Sequence, residues 1–533
     1  MSVPIRTTVL VVGGGPAGSY AASVLAREGV EVVLLEADKF PRYHIGESML
    51  ASMRFFLRFI ELEETFDNHG FEKKVSQVTN FAASLGKGGY SWNVVRSESD
   101  ELIFRHASKC GAMTFDGTKV DSLTFEPHQQ DGFTTEYHLA NPGRPVSATW
   151  SCKDGTTGTI KFEYLIDASG RNGIMSTKYL KNRKFNEGLK NIANWTYWKG
   201  AKRFNVGKDN ENSPYFEALT DGNGWVWAIP QHTGNLSCGI VARQDIFFAK
   251  KKESGLEGKD FYKEYLKLAP YINEMLSDAE PVSDIKQASD WSYSASAYAG
   301  PGFRLIGDAG CFVDPYFSSG VHLALTSALS AATSIQAVRR GQCDERKSAK
   351  WHGTKVAEGY TRFLLLVMTV LRQLRMRHIN IISTEEEEGF DVAFKKIQPV
   401  IQGVADTETQ DAKVQKGAAD SIDFGLASIN ITPEKEQAVI NKMEQAQSSP
   451  EVLEKLTSVE VQVLSNILAR TVEREKDELA SFGGDVIEGL SANVKHGDLG
   501  FVNRETKSAA DTNGIPTAKV EMEATTRALK TVA

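Results

Sequence analysis

Val9-Leu-Val-Val-Gly-Gly-Gly-Pro-Ala-Gly18 is a short apolar, β-branched run that ends in a glycine turn. Small apolar residues follow at helical spacing up to Ala26, and a second apolar run over residues 32–35 is closed by Glu36. A glycine fingerprint that follows a strand, opens a helix and precedes an acidic strand end is typical of dinucleotide-binding βαβ units. The sequence therefore predicts an α/β fold with a Rossmann-like nucleotide-binding domain at its N-terminus.

Each part of this turn has a separate physical role. Gly13 permits the tight turn, Gly15 lets a pyrophosphate approach the backbone, and Gly18 permits close packing of helix on strand. Glu36 is expected to accept hydrogen bonds from a ribose. The cofactor-binding residues predicted in the turn are Gly13, Gly14, Gly15, Ala17 and Gly18.

Composition and charge limit the classes of function. The chain has 533 residues and a formal net charge of -7, so several domains are expected and neither nucleic acid nor acidic membranes are favoured as partners. The five cysteines are scattered without a C-x-x-C pair, which favours reduced thiols, a cytoplasmic location and no metal site. The longest apolar stretch, residues 363–371, is far shorter than the ~20 residues of a membrane span, so a buried helix is expected there.

Two later segments predict that the nucleotide domain is discontinuous. Residues 164–173 form a strand pattern that runs into a glycine turn, and residues 303–310 form another that ends in Gly307-Asp308. An aspartate at such a strand end, just before a helix, can bind the ribityl chain of a flavin. The residues between, roughly 175–290, are rich in aromatic and β-forming residues, which predicts an inserted sheet.

A tryptophan pair follows within this inserted part, where residues 225–230 read Trp-Val-Trp-Ala-Ile-Pro. Tryptophans two positions apart lie on one face of a strand, and each is a large, stiff apolar wall. An isolated pair of this kind is more often ordinary core.

Three further segments carry groups that suit flavin chemistry. Residues 42–48, Arg-Tyr-His-Ile-Gly-Glu-Ser, follow the second strand, and Arg96 opens a helix-like stretch. Residues 315–322 hold a glycine turn that opens a helix, where backbone amides make an anion site. The ordinary alternatives are a solvated loop, a surface arginine, and a helix cap by Ser318 or Ser319.

Together these motifs resemble the flavin-dependent halogenases, within the aromatic-hydroxylase class of FAD proteins. Ser91-Trp-Asn-Val-Val-Arg-Ser97 and Asp314-Pro-Tyr-Phe-Ser-Ser-Gly320 carry the resemblance beside the segments already quoted. It is closest to the fungal branch that chlorinates phenolic polyketides, such as the halogenases of the sulochrin (geodin) and griseofulvin (benzophenone) pathways. The tryptophan-specific branch has a glutamate where this chain has Phe317, and a phenol, already activated by its hydroxyl, needs no such carboxylate.

The resemblance implies a reaction and its residues. Reduced FAD and O2 give a flavin hydroperoxide, chloride attacks it to form hypochlorous acid, and a lysine passes the oxidant to the substrate. The implied catalytic residues are Lys74 and Glu47, the chloride site is Ser319 with Gly320, and the partition is Trp225 with Trp227. The implied FAD-binding residues outside the glycine turn are Glu36, Glu47, Arg96, Asp308 and Val321. A separate flavin reductase is the expected partner, because the chain has one dinucleotide fingerprint.

The expected fold is a Rossmann-like FAD-binding domain of the aromatic-hydroxylase type with an inserted substrate-binding β-sheet and a helical C-terminal region. The FAD-binding domain is predicted at residues 1–110, 155–175 and 290–345, and the substrate sheet at residues 111–154 and 176–289. The helical region is predicted at residues 346–498 and a polar, loosely ordered tail at residues 499–533.

Several alternatives stay open at this point. One is a single-component FAD hydroxylase that uses NADPH. Another is a flavin-binding remnant, because the segment after Lys74 is shorter than the family pattern. The sequence also does not decide whether chloride or bromide is the halide used. It leaves open whether the helical C-terminal region closes the substrate site or makes a homodimer.

Overall fold

The computed structural model describes residues 2–75, 90–127, 142–208, 211, 213–375 and 480–504. The strands in chain order are β1 Arg6–Val12, β2 Val32–Glu36, β3 Glu72–Val75, β4 Tyr90–Asn93, β5 Met113–Asp116, β6 Thr118–Glu126, β7 Arg144–Cys152, β8 Thr157–Asp167, β9 Arg183–Lys199, β10 Tyr215–Ala218, β11 Gly224–Pro230, β12 Asn235–Arg243, β13 Glu280–Pro281, β14 Lys286–Ala295, β15 Ala299–Gly300, β16 Phe303–Leu305, β17 Leu490–Asn493 and β18 Gly500–Asn503. The α-helices are α1 Pro16–Arg27, α2 Met53–Phe59, α3 Glu63–His69, α4 Arg96–Lys109, α5 Gln244–Ser254, α6 Gly258–Leu266, α7 Pro270–Met275, α8 Gly320–Arg339, α9 Glu345–Arg375 and α10 Ala480–Gly484.

The predicted N-terminal βαβ unit is confirmed. Strand β1 pairs parallel with β2, with Val9 opposite Val32. Helix α1 connects them and begins at Pro16, directly after the glycine turn. A proline suits this first helical position, because its missing N–H would have no partner there.

Sheet A is the eight-stranded sheet built around this unit, with the path β15-β16-β8-β1-β2-β5 and the strands β6 and β7 off it. Strands β8 and β16 are parallel to the central strands, so both strands predicted from the later glycine segments are confirmed. The assignment of residues 111–154 to the substrate sheet is wrong for β5, β6 and β7. Strand β5 pairs with β2, and β7 pairs antiparallel with β8. Alternating residues predict a strand but do not specify its partner.

Sheet B is the six-stranded sheet of the inserted region, with the path β10-β11-β12-β9-β13 and β14 on β9. Its strands pair antiparallel, and its two faces pack differently. The outer face carries Val226 and Ala228, which pack against the three short helices α5 to α7. The inner face is the row of alternate residues on three paired strands, namely Trp225, Trp227 and Ile229 on β11, Ser237, Gly239 and Val241 on β12, and Ala193, Trp195 and Tyr197 on β9.

Helix α8 forms the centre of the molecule. It packs on α1 and α9 and is buried along nearly its whole length. Within the described residues it is the single helix long and apolar enough to cross a membrane, and 89% of that apolar window is buried inside the protein. Burial of this kind is typical of a core helix.

Helix α9 agrees with the helical prediction for residues 346–498, with Phe363 and Leu366 buried. The prediction is wrong at residues 490–493, which form strand β17. The predicted helices between residues 376 and 479 lie outside the described residues. The prediction of a loose tail is wrong at its start, because β18 pairs with β17. Phe501 of β18 packs on Trp351 at 4.7 Å between ring centroids, and this apolar contact holds the strand. Residues 505–533 lie outside the described residues.

All five cysteines are free thiols.

Candidate active site

The glycine turn leaves no room for side chains at Gly13, Gly14 and Gly18. A Cβ on Gly13, where φ is +105°, would meet the carbonyl oxygen of Ala168 at 2.2 Å, and one on Gly18 would meet the carbonyl oxygen of Gly13 at 1.9 Å. A Cβ on Gly15 would meet one atom of the flexible Arg42 side chain at 3.3 Å. The turn is therefore tight at both ends and open at Gly15, at the N-terminus of α1, and this shape suits a pyrophosphate.

Glu36 closes this turn from the adjacent strand. Its carboxylate accepts a hydrogen bond from the Gly14 amide at 2.6 Å and another from the Asp38 amide at 2.9 Å. It is 7% exposed. A carboxylate fixed in this way at the end of β2 lies where a ribose is held in dinucleotide-binding folds.

Arg96 is buried at the start of α4 and supports the loop that precedes Glu47. Its guanidinium donates to both carboxylate oxygens of Asp100 at 2.8 and 3.1 Å, and to the carbonyl oxygens of Ile45 and Gly46 at 2.8 and 3.1 Å. Arg42 also donates to Asp100, at 3.2 Å. The surface-arginine alternative for Arg96 is wrong, because this side chain is the buried support of the loop.

Asp308 lies after β16 in a short 3-10 turn that begins at Gly307. The pKa of its carboxyl is raised, mainly by burial, and the positive charges of Arg171, Arg96 and Arg183 oppose this shift. This carboxyl thus lies in the electrostatic field of Arg96. The strand end, the turn and the position before α8 are those expected of a ribityl-binding aspartate, and Val321 is buried in the first turn of α8.

Glu47 links the loop after β2 to sheet B. Its Oε1 atom accepts hydrogen bonds from the Tyr197 hydroxyl and the Gln231 side chain, each at 2.7 Å. Its Oε2 atom is buried and makes no hydrogen bond within the described residues. Burial raises the pKa of this carboxyl, and the neighbouring Ser237 and Tyr197 hydroxyls oppose the shift. The solvated-loop alternative for Glu47 is wrong, since the side chain is 2% exposed.

Lys74 approaches the same loop from β3. Its ammonium group donates a hydrogen bond to the Ser48 hydroxyl at 2.7 Å. The side chain is partly buried, and burial lowers the pKa of Lys74 to about 7. Lys73, its neighbour, is exposed and forms an ion pair with Asp67 at 3.2 Å. The residues that follow Val75, over 76–89, include the short segment noted in the sequence and lie outside the described residues.

The glycine turn before α8 has a buried hydroxyl beside open space. Ser318 adopts a left-handed conformation at φ 56°, and α8 begins at Gly320. The Ser319 side chain is fully buried, and its Oγ atom makes no hydrogen bond within the described residues. Ser319 is therefore the residue before the helix, yet its side chain does not cap it. Nothing lies within 4 Å of a Cβ built on Gly320, which leaves room for an anion at these amides.

The two tryptophans are buried on the inner face of sheet B, at 2% and 6% exposure. The Trp225 ring contacts Trp227 at 5.9 Å and Tyr316 at 5.1 Å between centroids. Tyr316 belongs to the turn that leads into Ser319, so the tryptophan wall touches the candidate anion site. Trp227 donates from its indole nitrogen to the Ser237 hydroxyl at 3.1 Å.

Sequence reasoning missed several polar partners of these residues. They are Asp100 under Arg96, and Tyr197, Gln231 and Ser237 around Glu47. Asp100 was within reach of the sequence, because an arginine and an aspartate four residues apart lie on one face of a helix. The three partners of Glu47 carry no local signal, since sheet B delivers them from residues far along the chain.

A second polar cluster lies at the edge of the site. His69 and His232 both direct Nε2 at one oxygen of Glu98, at 2.8 and 3.3 Å. The cluster joins three elements of the site. They are the end of α3, which leads into the strand of Lys74, the helix α4, which begins at Arg96, and the turn after β11, which contains Gln231. It therefore fastens the elements that hold Lys74, Arg96 and Gln231.

The fold and the site define the class of protein as an FAD-binding flavoprotein. The family model described as an FAD binding domain matches residues 6–354, a span that includes the glycine turn, Asp308 and Ser319.

The relatives narrow this class. The chain is 73% identical over 518 residues to the flavin-dependent halogenase ptaM of Pestalotiopsis fici, covering 95% of this chain and 96% of the relative. It is 61% identical over 524 residues to the sulochrin halogenase gedL of Aspergillus terreus, covering 95% of each. Among solved structures, the flavin-dependent halogenase CmlS is similar with a TM-score of 0.61 and 25% identity, over 82% of this chain and 77% of that one. The chain belongs to the flavin-dependent halogenases.

Proposed function

We propose that this halogenase chlorinates an aromatic carbon ortho or para to the hydroxyl of a phenolic polyketide of the benzophenone or anthraquinone type. The relative named sulochrin halogenase supports the substrate class. The Phe317 side chain is consistent with it, because this buried apolar ring stands where a carboxylate would be needed for a less activated ring. A phenol supplies its own activation through the hydroxyl.

The observation that carries the proposal is the pair of groups at residues 47–48. Lys74 Nζ donates to Ser48 Oγ at 2.7 Å, and the preceding residue is the buried Glu47, whose Oε2 atom has no partner within the described residues. An amine of lowered pKa thus contacts the residue that follows a buried carboxyl with an unpartnered oxygen. Titratable groups with shifted pKa values are typical of sites that move protons and activate a reagent.

Each remaining component of the reaction has a corresponding group. Bound reduced FAD supplies the electrons that activate O2, and the glycine turn, Glu36, Arg96, Asp308 and Val321 are its proposed contacts. The amides at Ser319 and Gly320, with the unpartnered Ser319 hydroxyl, are the proposed chloride site. Trp225 and Trp227 separate the oxidant from the organic substrate, and Lys74 orients or carries the oxidant.

A reconstitution experiment tests this function. The protein is incubated with FAD, NADH, a flavin reductase, chloride and a benzophenone phenol, and the products are analysed by mass spectrometry. We expect a product with the chlorine isotope pattern that forms only when the reductase is present. Replacing chloride by bromide determines which halide the site prefers.

The same assay separates the halogenase from a single-component hydroxylase. The protein is mixed with FAD, the phenol and NADPH, without reductase, and the bleaching of the flavin absorbance is followed. We expect slow bleaching and no hydroxylated product. Fast bleaching with hydroxylation of the phenol would contradict the proposal.

A further inference from the structure

A chain of hydrogen bonds connects Glu47 to the surface. The Tyr197 hydroxyl, which donates to Glu47 Oε1 at 2.7 Å, is 3.1 Å from the Tyr43 hydroxyl. Tyr43 is 50% exposed, whereas Glu47 is 2% exposed. Three oxygens in series therefore run from solvent to a buried carboxyl.

The protons in this chain point inward. The Trp195 indole nitrogen donates to the Tyr43 oxygen at 2.6 Å, and an indole N–H can only donate. The Tyr43 proton is then free to point at Tyr197, whose own proton points at Glu47. A carboxylate can only accept, so both ends of the chain fix the same direction.

Halogenation needs a proton. The balance is arene C–H + Cl⁻ + O2 + reduced flavin (two hydrogens) + H⁺ → arene C–Cl + oxidised flavin + two H2O. Every turnover thus consumes one proton, which must reach a buried site.

We propose that Tyr43 and Tyr197 relay this proton from solvent to Glu47, an inference that rests on the proposed function. The Glu47 Oε2–H bond breaks as its proton passes to the O2-derived oxygen that leaves as water. The Tyr197 O–H bond breaks as its proton moves to Glu47 Oε1, the Tyr43 proton moves to Tyr197, and a solvent proton replaces it on Tyr43. Rotation of the carboxyl returns the proton to the unpartnered oxygen.

The electrostatics of the chain agree with this direction. Burial raises the pKa of Glu47, so the carboxyl holds a proton closer to neutral pH than an exposed glutamate does. Burial also raises the pKa of Tyr43 and of Tyr197, so each phenol passes one proton on as it receives another and does not ionise. The charged groups near the chain are Arg96, which lowers the pKa of Glu47, Lys74 beside Ser48, and Lys286, whose ammonium lies 4.6 Å from the centre of the Tyr43 ring.

The first test measures turnover of the reconstituted full-length enzyme against pH, in H2O and D2O. We expect Tyr197→Phe to slow chlorination by about 10²-fold, within the range for loss of one proton transfer, and Tyr43→Phe by about tenfold. In both variants proton delivery should limit turnover, so the rate should depend on pH where the wild-type rate does not, and the solvent isotope effect should rise. A purely structural role would lower the rate equally at every pH.

The matched control is Tyr265→Phe, which removes a buried hydroxyl that makes no hydrogen bond within the described residues, on the outer side of sheet B. It should leave the pH profile unchanged. Wild-type pH profiles and isotope effects in both relay variants, together with full turnover, would overturn the relay.

A second test does not depend on turnover. Infrared difference spectra of the protein over a pH series follow the protonated carboxyl band, and Glu47→Gln identifies the band of Glu47. We expect Tyr197→Phe to raise the pKa of Glu47, because it removes a hydrogen bond to the charged form. If wild-type protein made no chlorinated product, the proposed function would fail while this spectrum still reported the coupling. An unchanged pKa in Tyr197→Phe contradicts the relay alone.

Discussion

The glycine turn and the inner face of sheet B form two parts of one site by different means. The turn is local: Gly13, Gly18 and Glu36 lie within one βαβ unit, and backbone atoms exclude side chains at Gly13 and Gly18. The inner face with its partners is gathered from β9, β11, β12 and the loop at residues 42–48. Its properties are those of side chains, apolar at Trp225 and polar at Tyr197. Under the proposed function, the turn binds the cofactor and the inner face directs the reaction of the bound cofactor.

Substitutions in the turn should have the largest effect of all. In Gly13→Ala the new Cβ would meet the Ala168 carbonyl oxygen at 2.2 Å, at a φ of +105°. Neither backbone can yield, so we expect a loss of about 4 kcal/mol in the free energy of unfolding and no bound flavin. Denaturant unfolding and the flavin absorbance of the purified protein measure the two effects.

Gly15→Ala is the matched control within the same turn. Its Cβ would meet only the end of the flexible Arg42 side chain, at 3.3 Å. We expect a stable protein whose FAD affinity alone is reduced. Equal destabilisation by both alanines would contradict the idea that Gly13 is needed for folding and Gly15 for the approach of the phosphate.

Lys74→Ala should break the chemistry and leave the turn intact. Removing the amine removes the group that reaches Ser48 at 2.7 Å. We expect chlorination to fall by about 10³-fold, within the range for a positioned proton-transfer group, while FAD binding by titration stays unchanged. Lys73→Ala is the control, because this neighbouring lysine lies on the opposite face of β3 and pairs with Asp67. Full activity of Lys74→Ala would show that another residue carries the oxidant.

Part of this contrast was predictable from the sequence. The turn and its flanking strands were predicted because fingerprint residues lie close together in sequence, and Asp308 was predicted because it follows a strand pattern that ends in a glycine. The positions of Glu47 and Lys74 came from a family resemblance, and no spacing in the chain joins residue 47 to residue 197 or 231. The pairing of β6 and β7 with sheet A was missed for the same reason, since alternation is a local property and strand partnership is not.

Trp225→Ala should separate oxidation from chlorination. The side chain is 2% exposed and packs on Trp227 and Tyr316, so we expect a loss of about 3 kcal/mol in the free energy of unfolding. We also expect flavin oxidation to continue with less chlorinated product per O2 consumed, measured with an oxygen electrode and mass spectrometry. Trp198→Ala controls for stability, because Trp198 is equally buried on the outer face. A similar drop in chlorinated product per O2 in Trp198→Ala would contradict the proposal that Trp225 separates the oxidant from the substrate.

The free energy of unfolding of the protein should depend on pH through Lys74. Burial lowers the pKa of this lysine to about 7 in the folded protein, against 10.5 when it is exposed. Between these values the unfolded chain binds one more proton than the folded one, so folding stability rises with pH in that range. Below pH 7 both forms are protonated and the contribution is constant. Denaturant unfolding at pH 7 and 9 should show up to about 2 kcal/mol of added stability at the higher pH that Lys74→Met lacks.

The smallest expected effect lies at a hydrogen bond that joins the apolar and polar parts of the inner face. Trp227→Phe keeps most of the wall but removes the indole N–H that donates to Ser237 at 3.1 Å. We expect a loss of about 1 kcal/mol in the free energy of unfolding. Because Ser237 also interacts with Glu47 and lowers its pKa, freeing its hydroxyl should shift the infrared titration of Glu47 without stopping chlorination. An unshifted titration would mean that the tryptophan wall and the carboxyl act independently, although they share one face of the sheet.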